Sequence, residues 1–319
     1  MMRGVDLSIL VVAYNSAQVI GGCLDSIRVN PPSVPFEVIV ADNSSLDATR
    51  DVVRTDHPEV LLVETGANLG FAGGNRAAVA KARGELLLLL NPDTVVLPGA
   101  LDALIAGLAD ETRAWVAGAC LLTSDLAPNT SWGDFPTVGW AMAELAPWRR
   151  LGIPIRSRRV VGRTCEGVTS PKTVDWVSGA AFLVRREAWD QLDGLDAGYF
   201  MYFEETDFCA RARRAGGRCV LVPSARIIHL EGTSIGEATV RQRVWFYRGL
   251  DRFLRRNNSA AAAACVRMWT LVVNVALYVV SLPVGLLAAG IRRERPRYAA
   301  LVRVSLGMRV PNIDERMPQ

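Results

Sequence analysis

Five leucines in succession, Leu86 to Leu90, stand between Gly84-Glu85 and the polar run Asn91-Pro92-Asp93-Thr94. The leucine run is too short for a stable isolated helix and has no polar face, so it suits a strand buried on both sides, as in parallel α/β sheets. Pro92 lacks an N–H and disfavours helix at Asn91, so the chain has to leave the sheet there. Asp93 thus falls just past the carboxyl end of a central strand, where ligands gather in open α/β sheets. Taken locally, Asn-Pro-Asp-Thr reads equally well as a turn signal.

The same plan occurs earlier in the chain. After Asp6 the chain is mostly apolar and partly β-branched to Ala13, then turns polar at Tyr14-Asn15-Ser16, which predicts a first strand and a helix from about Ala17 to Val29. Phe36 to Ala41 leads into Asp42-Asn43-Ser44-Ser45, a second strand whose polar end can cap a helix from Asp47 onward. Two βα units in series imply a parallel sheet with right-handed crossovers. A third strand, Val60 to Val63, precedes Asn68-Leu69-Gly70-Phe71-Ala72-Gly73-Gly74-Asn75, with a helix expected from about Arg76 to Ala82. Glycines there would let backbone N–H groups approach a phosphate beside a helix N-terminus, although a tight structural turn has the same composition. The spacing is neither G-x-G-x-x-G nor a Walker pattern, which argues against dinucleotide and P-loop sites.

Composition closes off other classes. A chain of 319 residues, half of them hydrophobic, can bury a large core as one big domain or two smaller ones. The net charge of +4 comes without a lysine-rich tract, so no nucleic-acid face is expected. Cys23, Cys120, Cys165, Cys209, Cys219 and Cys265 contain no C-x-x-C pair and read as thiols in a reducing compartment, with no zinc site. Arg3 is the only early basic residue and no small-x-small site follows the first apolar run, a poor match to a secretory signal.

The second half begins with a helix expected over Leu97 to Leu108 and a strand over Ala114 to Leu122. From Thr123 to Ser170 the chain is irregular and carries Trp132, Trp140 and Trp148. Loops on a rigid sheet commonly carry specificity, yet tryptophans are as often core anchors, and at least two of these three are expected in the core. Val174 to Glu187 reads as a strand interrupted at Gly179, where backbone or ligand comes close. Next, Tyr199-Phe200-Met201-Tyr202-Phe203 leads into Glu204-Glu205-Thr206-Asp207. Clustered carboxylates in an apolar surround raise one another's pKa, so one can serve as a general base, while acidic residues also simply suit a helix N-terminus. That helix is expected to end at Gly216-Gly217 and to be followed by a last strand, Cys219 to Pro223. His229 follows a separate apolar pair, and by residue type alone it is a structural histidine.

In order and spacing, Val11 to Ser16, Val40-Ala41-Asp42 to Asp47, Asn68 to Asn75 and Asn91-Pro92-Asp93 resemble the nucleotide-sugar half of family 2 glycosyltransferases of GT-A fold, bacterial rhamnosyltransferases above all. The resemblance covers about residues 5 to 235. It implies an α/β, Rossmann-like, mostly parallel sheet, divided into a donor-binding half at about 1–122 and an acceptor-binding half at about 123–235. Donor contacts are implied for Ala13, Asn15, Asp42 (the nucleobase), Asn68, Gly70, Phe71, Gly74, Asn75, Asn91 and Asp93. Asn91-Pro92-Asp93 stands where many members have Asp-x-Asp, so Asp93 is implied to bind Mg²⁺ or Mn²⁺ on the donor diphosphate, with His229 as a further ligand; hard cations that share phosphates suit such a set. Trp176, Gly179, Ala180 and Asp207 are implied at the acceptor. The second carboxylate of the acidic motif, Glu205, is implied as the base, with Glu204 as the alternative because glutamate replaces the commoner aspartate.

Residues 236–319 differ in character. Arg241, Arg243, Arg248, Arg252, Arg255 and Arg256 alternate with aromatics as in a basic amphipathic helix, and the 24 residues from Met268 to Ile291 carry no charge. Arginines follow at 292, 293, 295 and 297, so a single span would place a basic flank outside. A peripheral or monotopic attachment to the cytoplasmic face is preferred over a span, with a buried helix as the plain alternative. The implied reaction is inverting, metal-dependent transfer of rhamnose from dTDP-rhamnose to a polyprenyl-diphosphate-linked or polysaccharide acceptor in cell-envelope glycan synthesis. Galactofuranose or another hexose is the alternative sugar, a noncatalytic membrane-associated nucleotide-binding protein the alternative class, and homo-oligomerisation stays open.

Overall fold

The computed structural model describes residues 4–145, 162–230, 240–284, 289–310 and 313. Trp148 and the Glu231 to Ser234 stretch lie outside them. Strands and helices alternate at first: β1 (Leu7–Ala13), α1 (Ile20–Val29), β2 (Phe36–Asp42), α2 (Thr49–Asp56), β3 (Leu61–Glu64), α3 (Gly70–Val79) and β4 (Leu86–Leu90). There follow β5 (Thr94–Val96), α4 (Ala100–Asp110), β6 (Ala114–Leu122), β7 (Trp132–Gly133), α5 (Val138–Glu144), β8 (Lys172–Val174), β9 (Trp176–Val177) and β10 (Ala181–Arg185). The chain then continues through α6 (Arg186–Gln191), α7 (Glu204–Arg214), β11 (Arg218–His229), α8 (Val240–Asn257), α9 (Ala260–Val284) and α10 (Ala289–Ser305).

The main sheet has the order β3-β2-β1-β4-β10-β6-β11-β5, with β8 paired to β11. The leucine strand lies at its centre. Leu88 and Leu90 belong to the core on one face with α1 and α4 residues, while Leu87 and Leu89 join the core on the other with α3 residues. Burying each such side chain contributes about 1.5–3 kcal/mol, and only a strand covered on both faces can collect that from neighbouring leucines. β1 pairs in parallel with β2 and β4, with Val11 opposite Leu90 and Ala13 opposite Asp42. Sequence order reverses between β1 and β4, so their carboxyl ends flank the switch point at which open α/β sheets form a ligand crevice. The pairing beyond β4 is mixed, β10 running antiparallel to both β4 and β6.

Three elements depart from the expectations above. The glycine-rich stretch is not a loop before a helix: α3 starts at Gly70 and contains Gly73, Gly74 and Asn75. Glycine disfavours helix on its own, but a Cβ at Gly74 would come within 2.6 Å of Val12, so close packing on β1 overrides propensity. β11 does not stop at Pro223; it continues for 12 residues to His229, absorbing Pro223, Ser224 and Ala225 in a register shift between Val222 and Arg226. The interruption at Gly179 separates two sheets, since β9 pairs with β7 outside the main sheet whereas β10 lies within it.

By internal contacts the chain divides into two units, one holding the sheet and one holding residues from 136 onward in α5, Met201–Phe203 and residues from 235. Within the second unit, α8 turns Val244, Tyr247, Leu250 and Leu254 inward, and Val244 and Tyr247 share a core with Leu301 and Val304 of α10. Trp269 of α9 donates its indole N–H to the Met142 carbonyl of α5, and Arg295 donates to the carbonyls of Ser281 and Leu282, covering the end of α9. A Cβ at Gly249 would lie 2.6 Å from the Tyr202 carbonyl, and Tyr202 and Phe203 hold φ of +72° and +73°, unusual for aromatic residues. Among the described residues one helix, over Ala260–Leu282, is long and apolar enough to cross a membrane. Met268, Val272, Val275, Val279 and Leu282, spaced three and four apart on it, are exposed.

Candidate functional site

Asn91, Asp93 and His229 meet at the switch-point end of the sheet. Ile227 to His229 of β11 pairs antiparallel with Thr94 to Val96 of β5, which brings His229 opposite Thr94. His229 Nε2 then lies 3.3 Å from Asp93 Oδ1 and 3.2 Å from Asn91 Nδ2. Leu230 N–H donates to the Asp93 carbonyl at 2.9 Å, and Asn91 N–H donates to Ala180 O at 3.0 Å, so backbone bonds hold both ends of the tripeptide. Behind it Thr94 Oγ1 donates to Asn91 O at 2.8 Å, while Cys23 Sγ sits 3.5 Å from both. Burial pushes the Cys23 thiol up to about 11, which leaves it a neutral packing group.

This donor set fits a divalent cation. A carboxylate oxygen and an imidazole nitrogen 3.3 Å apart, with an amide beside them, supply ligands acceptable to Mn²⁺ and leave positions for phosphate oxygens. One ring nitrogen faces both Asn91 and Asp93. In one tautomer it accepts from the Asn91 amide and in the other it donates to the Asp93 carboxylate, and with its lone pair free it can also face a cation. Among the described residues no three of His, Cys, Asp or Glu gather to hold a metal ion.

The implied donor residues line the ends of β1, β2 and α3. Ala13 is buried in register with Asp42, and Asn15, at φ +51°, is exposed and accepts from Leu46 N–H at 2.8 Å. Asp42 is 1% exposed; its Oδ2 accepts from Ser45 N–H at 3.1 Å, and its Oδ1 is buried without a protein partner. Arg50, which sequence reasoning did not single out, stands 3.8 Å from that carboxylate. A buried carboxylate oxygen left open is the feature a nucleobase N–H can complete. At α3 the Gly70 N–H is taken by Asn68 Oδ1 and the Phe71 N–H by Phe200 O, so the helix's first donors already have protein acceptors. Asn75 donates to Phe71 O and keeps a buried, unpartnered Oδ1.

The segment from Trp176 to Ala180 joins the two chemical centres. Ala180 O holds Asn91, and a Cβ on Gly179 would lie 3.3 Å from the Phe71 ring and 3.8 Å from the Glu205 Cβ. Gly179 is therefore the position at which Phe71 and Glu205 approach the same backbone. Glu205 is part-exposed in the first turn of α7, and the protein packed around it raises its carboxyl above the usual carboxylate range; Thr206 Oγ1 donates to its Oε1 at 3.3 Å. Glu204 is 5% exposed and turned inward. Asp207 is 0% exposed: it accepts from Arg211 Nε at 2.7 Å and Tyr199 Oη at 3.3 Å, and Arg211 in turn clamps Leu192 O and Gly194 O. That carboxylate presents no surface to an acceptor. The Trp176 ring is buried, its N–H given to Asp134 O, and Trp132 and Trp140 are also buried.

Comparison with known proteins identifies the family. The model described as Glycosyl transferase family 2 matches residues 8–169. The N-acetylglucosaminyl-diphospho-decaprenol L-rhamnosyltransferase of Mycobacterium tuberculosis is 32% identical over 260 residues, covering 76% of this chain and 82% of that protein. Rhamnosyltransferase WbbL of Escherichia coli is 26% identical over 258 residues, covering 78% and 92%. Among solved structures, a mannosyltransferase from Pyrobaculum calidifontis in complex with GDP-Man and Mn²⁺ superposes with a TM-score of 0.55 at 17% identity, covering 96% of this chain and 87% of that one.

Proposed function

Because the chain belongs to glycosyl transferase family 2 and has the GT-A fold, we propose that it transfers rhamnose, with inversion, from dTDP-rhamnose to a lipid-linked glycan acceptor at the cytoplasmic face of a membrane. The observation that carries this reading is the meeting of Asp93, Asn91 and His229 at the switch point, joined through Ala180 and Gly179 to Glu205. The relatives support the sugar and the acceptor class, since two of them are named rhamnosyltransferases and one acts on a diphospho-decaprenol.

In this reading the open Asp42 Oδ1 receives the nucleobase N–H, and the diphosphate lies at Asp93. Mg²⁺ or Mn²⁺ held by Asp93 and His229 would supply the positive charge that stabilises the leaving diphosphate. Glu205 accepts the proton of the acceptor hydroxyl as that oxygen bonds to the anomeric carbon from the opposite face. The bond to the nucleoside diphosphate breaks as the new one forms. A carboxyl raised by burial is a stronger base once ionised than an ordinary surface glutamate, which suits the role. The inward position of Glu204 supports Glu205 over it in this role. Residues up to about 235 form the catalytic region and 236–319 the membrane-associated one. The hairpin-like packing of α9 and α10 and the exposed apolar stripe of α9 support attachment at the surface rather than a single crossing.

Purified protein supplied with a panel of nucleotide sugars tests the reading. Acceptor-dependent release of dTDP from dTDP-rhamnose, abolished by chelator and restored by Mg²⁺ or Mn²⁺, is the expected result. Preference for another donor would replace the sugar assignment, and pyrophosphate as the product would overturn the reaction class.

A further inference from the structure

The second unit contains a pocket with no part in the chemistry above. It has a volume of about 170 Å³ and is walled by Tyr247, Arg248 and Asp251 of α8, Arg267 of α9, and Gly307 and Met308 after α10. Its polar groups are incompletely matched. Arg255 Nε and Arg267 Nη2 both donate to one oxygen of Asp251, at 2.8 and 2.7 Å. The other oxygen, Oδ1, and Arg267 Nε are buried without partners. A single carboxylate shared by two guanidiniums leaves positive charge over, and Arg248 lines the same pocket. A buried N–H with no protein acceptor is a position that an anionic oxygen can complete.

The surroundings say which kind. Met268, next in the chain after Arg267, opens the stripe of exposed apolar residues that runs down α9, and Leu306 and Met308 are exposed beside the pocket. A pocket lined by arginines, with exposed apolar residues adjoining it in the chain, matches an amphiphile whose headgroup is phosphate. Guanidinium binds phosphate in a two-point fork, and an aliphatic chain covers apolar surface that water would otherwise face. We propose that this pocket binds the phosphate of a membrane lipid, with the lipid's chain along the Met268–Leu282 stripe. This deepens the membrane part of the proposed function and rests on it; the transferase chemistry does not depend on it.

The test is flotation of the full-length protein with three vesicle sets: phosphatidylcholine alone, phosphatidylcholine with phosphatidylglycerol, and phosphatidylcholine with a trace of polyprenyl monophosphate. Wild type should float with either phosphate-bearing set well above neutral vesicles. Arg248→Gln and Arg267→Gln should each lower that partition about fivefold, and Arg267→Lys should recover part of the loss. Because Arg267→Gln strips Asp251 of a partner and can unfold the helices, Met308→Glu at the mouth provides the same reading without touching the ion pair. Saturation at trace polyprenyl phosphate would identify the lipid as a prenyl ester, and a need for bulk phosphatidylglycerol as a bilayer phospholipid; either supports the site. Equal flotation on neutral vesicles, or wild-type partition by Arg248→Gln and Met308→Glu together, overturns it. Sugar transfer to a water-soluble acceptor should stay at the wild-type rate in Arg248→Gln. Its absence from the wild type as well would overturn the transferase reading and leave the lipid result standing.

Discussion

At the scale of single residues, the two neighbouring glutamates have different fates because a helix turns about 100° per residue. Glu205 keeps an edge at the surface beside Gly179, whereas Glu204 points into protein. Glu205→Gln is expected to bind dTDP as wild type does and to slow transfer by about 10²–10⁴, read from single-turnover rates. The raised Glu205 carboxyl also has a stability consequence. A folded-state pKa above the unfolded value favours the protonated form, so its contribution is full below the unfolded pKa and is lost as pH rises through the folded one. Glu205→Gln should therefore melt at or above the wild-type temperature at neutral pH and no higher near pH 4, where both side chains are uncharged; a constant difference at all pH would contradict the cause given. Asp207 behaves oppositely. Asp207→Asn leaves Arg211 buried without its counter-charge and should destabilise by about 3–5 kcal/mol in urea denaturation, with loss of activity following loss of fold. Acidic clustering was legible in the sequence, but which carboxylate reaches solvent was not, since burial depends on residues distant in the chain.

At the scale of elements, α3 shows tertiary contact overruling local preference. Gly70, Gly73 and Gly74 resist helix individually, yet the helix forms because glycine allows it to lie directly on β1. Gly74→Ala gains helix propensity but places a methyl 2.6 Å from Val12 and 3.0 Å from the Asn43 amide. Overpacking of this kind costs about 1–3 kcal/mol, so the urea midpoint should fall with an unchanged slope; a rise would mean that β1 yields. β11 makes a similar point. Pro223 reads as a stop, and a register shift lets the strand pass it and carry His229 to β5. The histidine's partner lies 138 residues away in sequence, a separation that no local pattern spans.

At the scale of the whole molecule, donor, metal and protein should stabilise one another. dTDP with Mn²⁺ should raise the melting temperature more than the sum of either alone, because a ligand bound only by the folded state adds to its stability. His229→Ala should reduce the Mn²⁺-dependent part while leaving the nucleotide-only shift; retention of the full metal effect would remove His229 from the site. The donor-end residues implied by the sequence lie together at the ends of β1, β2 and α3, because each strand there ends in a polar signal close to its own apolar run. The acceptor end depends on burial that no local pattern reports. Trp176 and Asp207 were expected at the acceptor, but the ring and the carboxylate are both buried with their hydrogen-bonding groups engaged by protein.

The sequence alone determined the central leucine strand, the polar ends of the strands beside it and the place of Asp93 just beyond, because burial on two faces and the missing proline N–H act within a few residues. The tertiary structure decided that His229 meets Asp93 and Asn91, that Gly179 brings Phe71 and Glu205 together, and that Asp207 belongs to the core. Those outcomes depend on strand order and on packing between residues far apart in the chain, where shape and burial, not residue type, settle which groups stay open to a substrate.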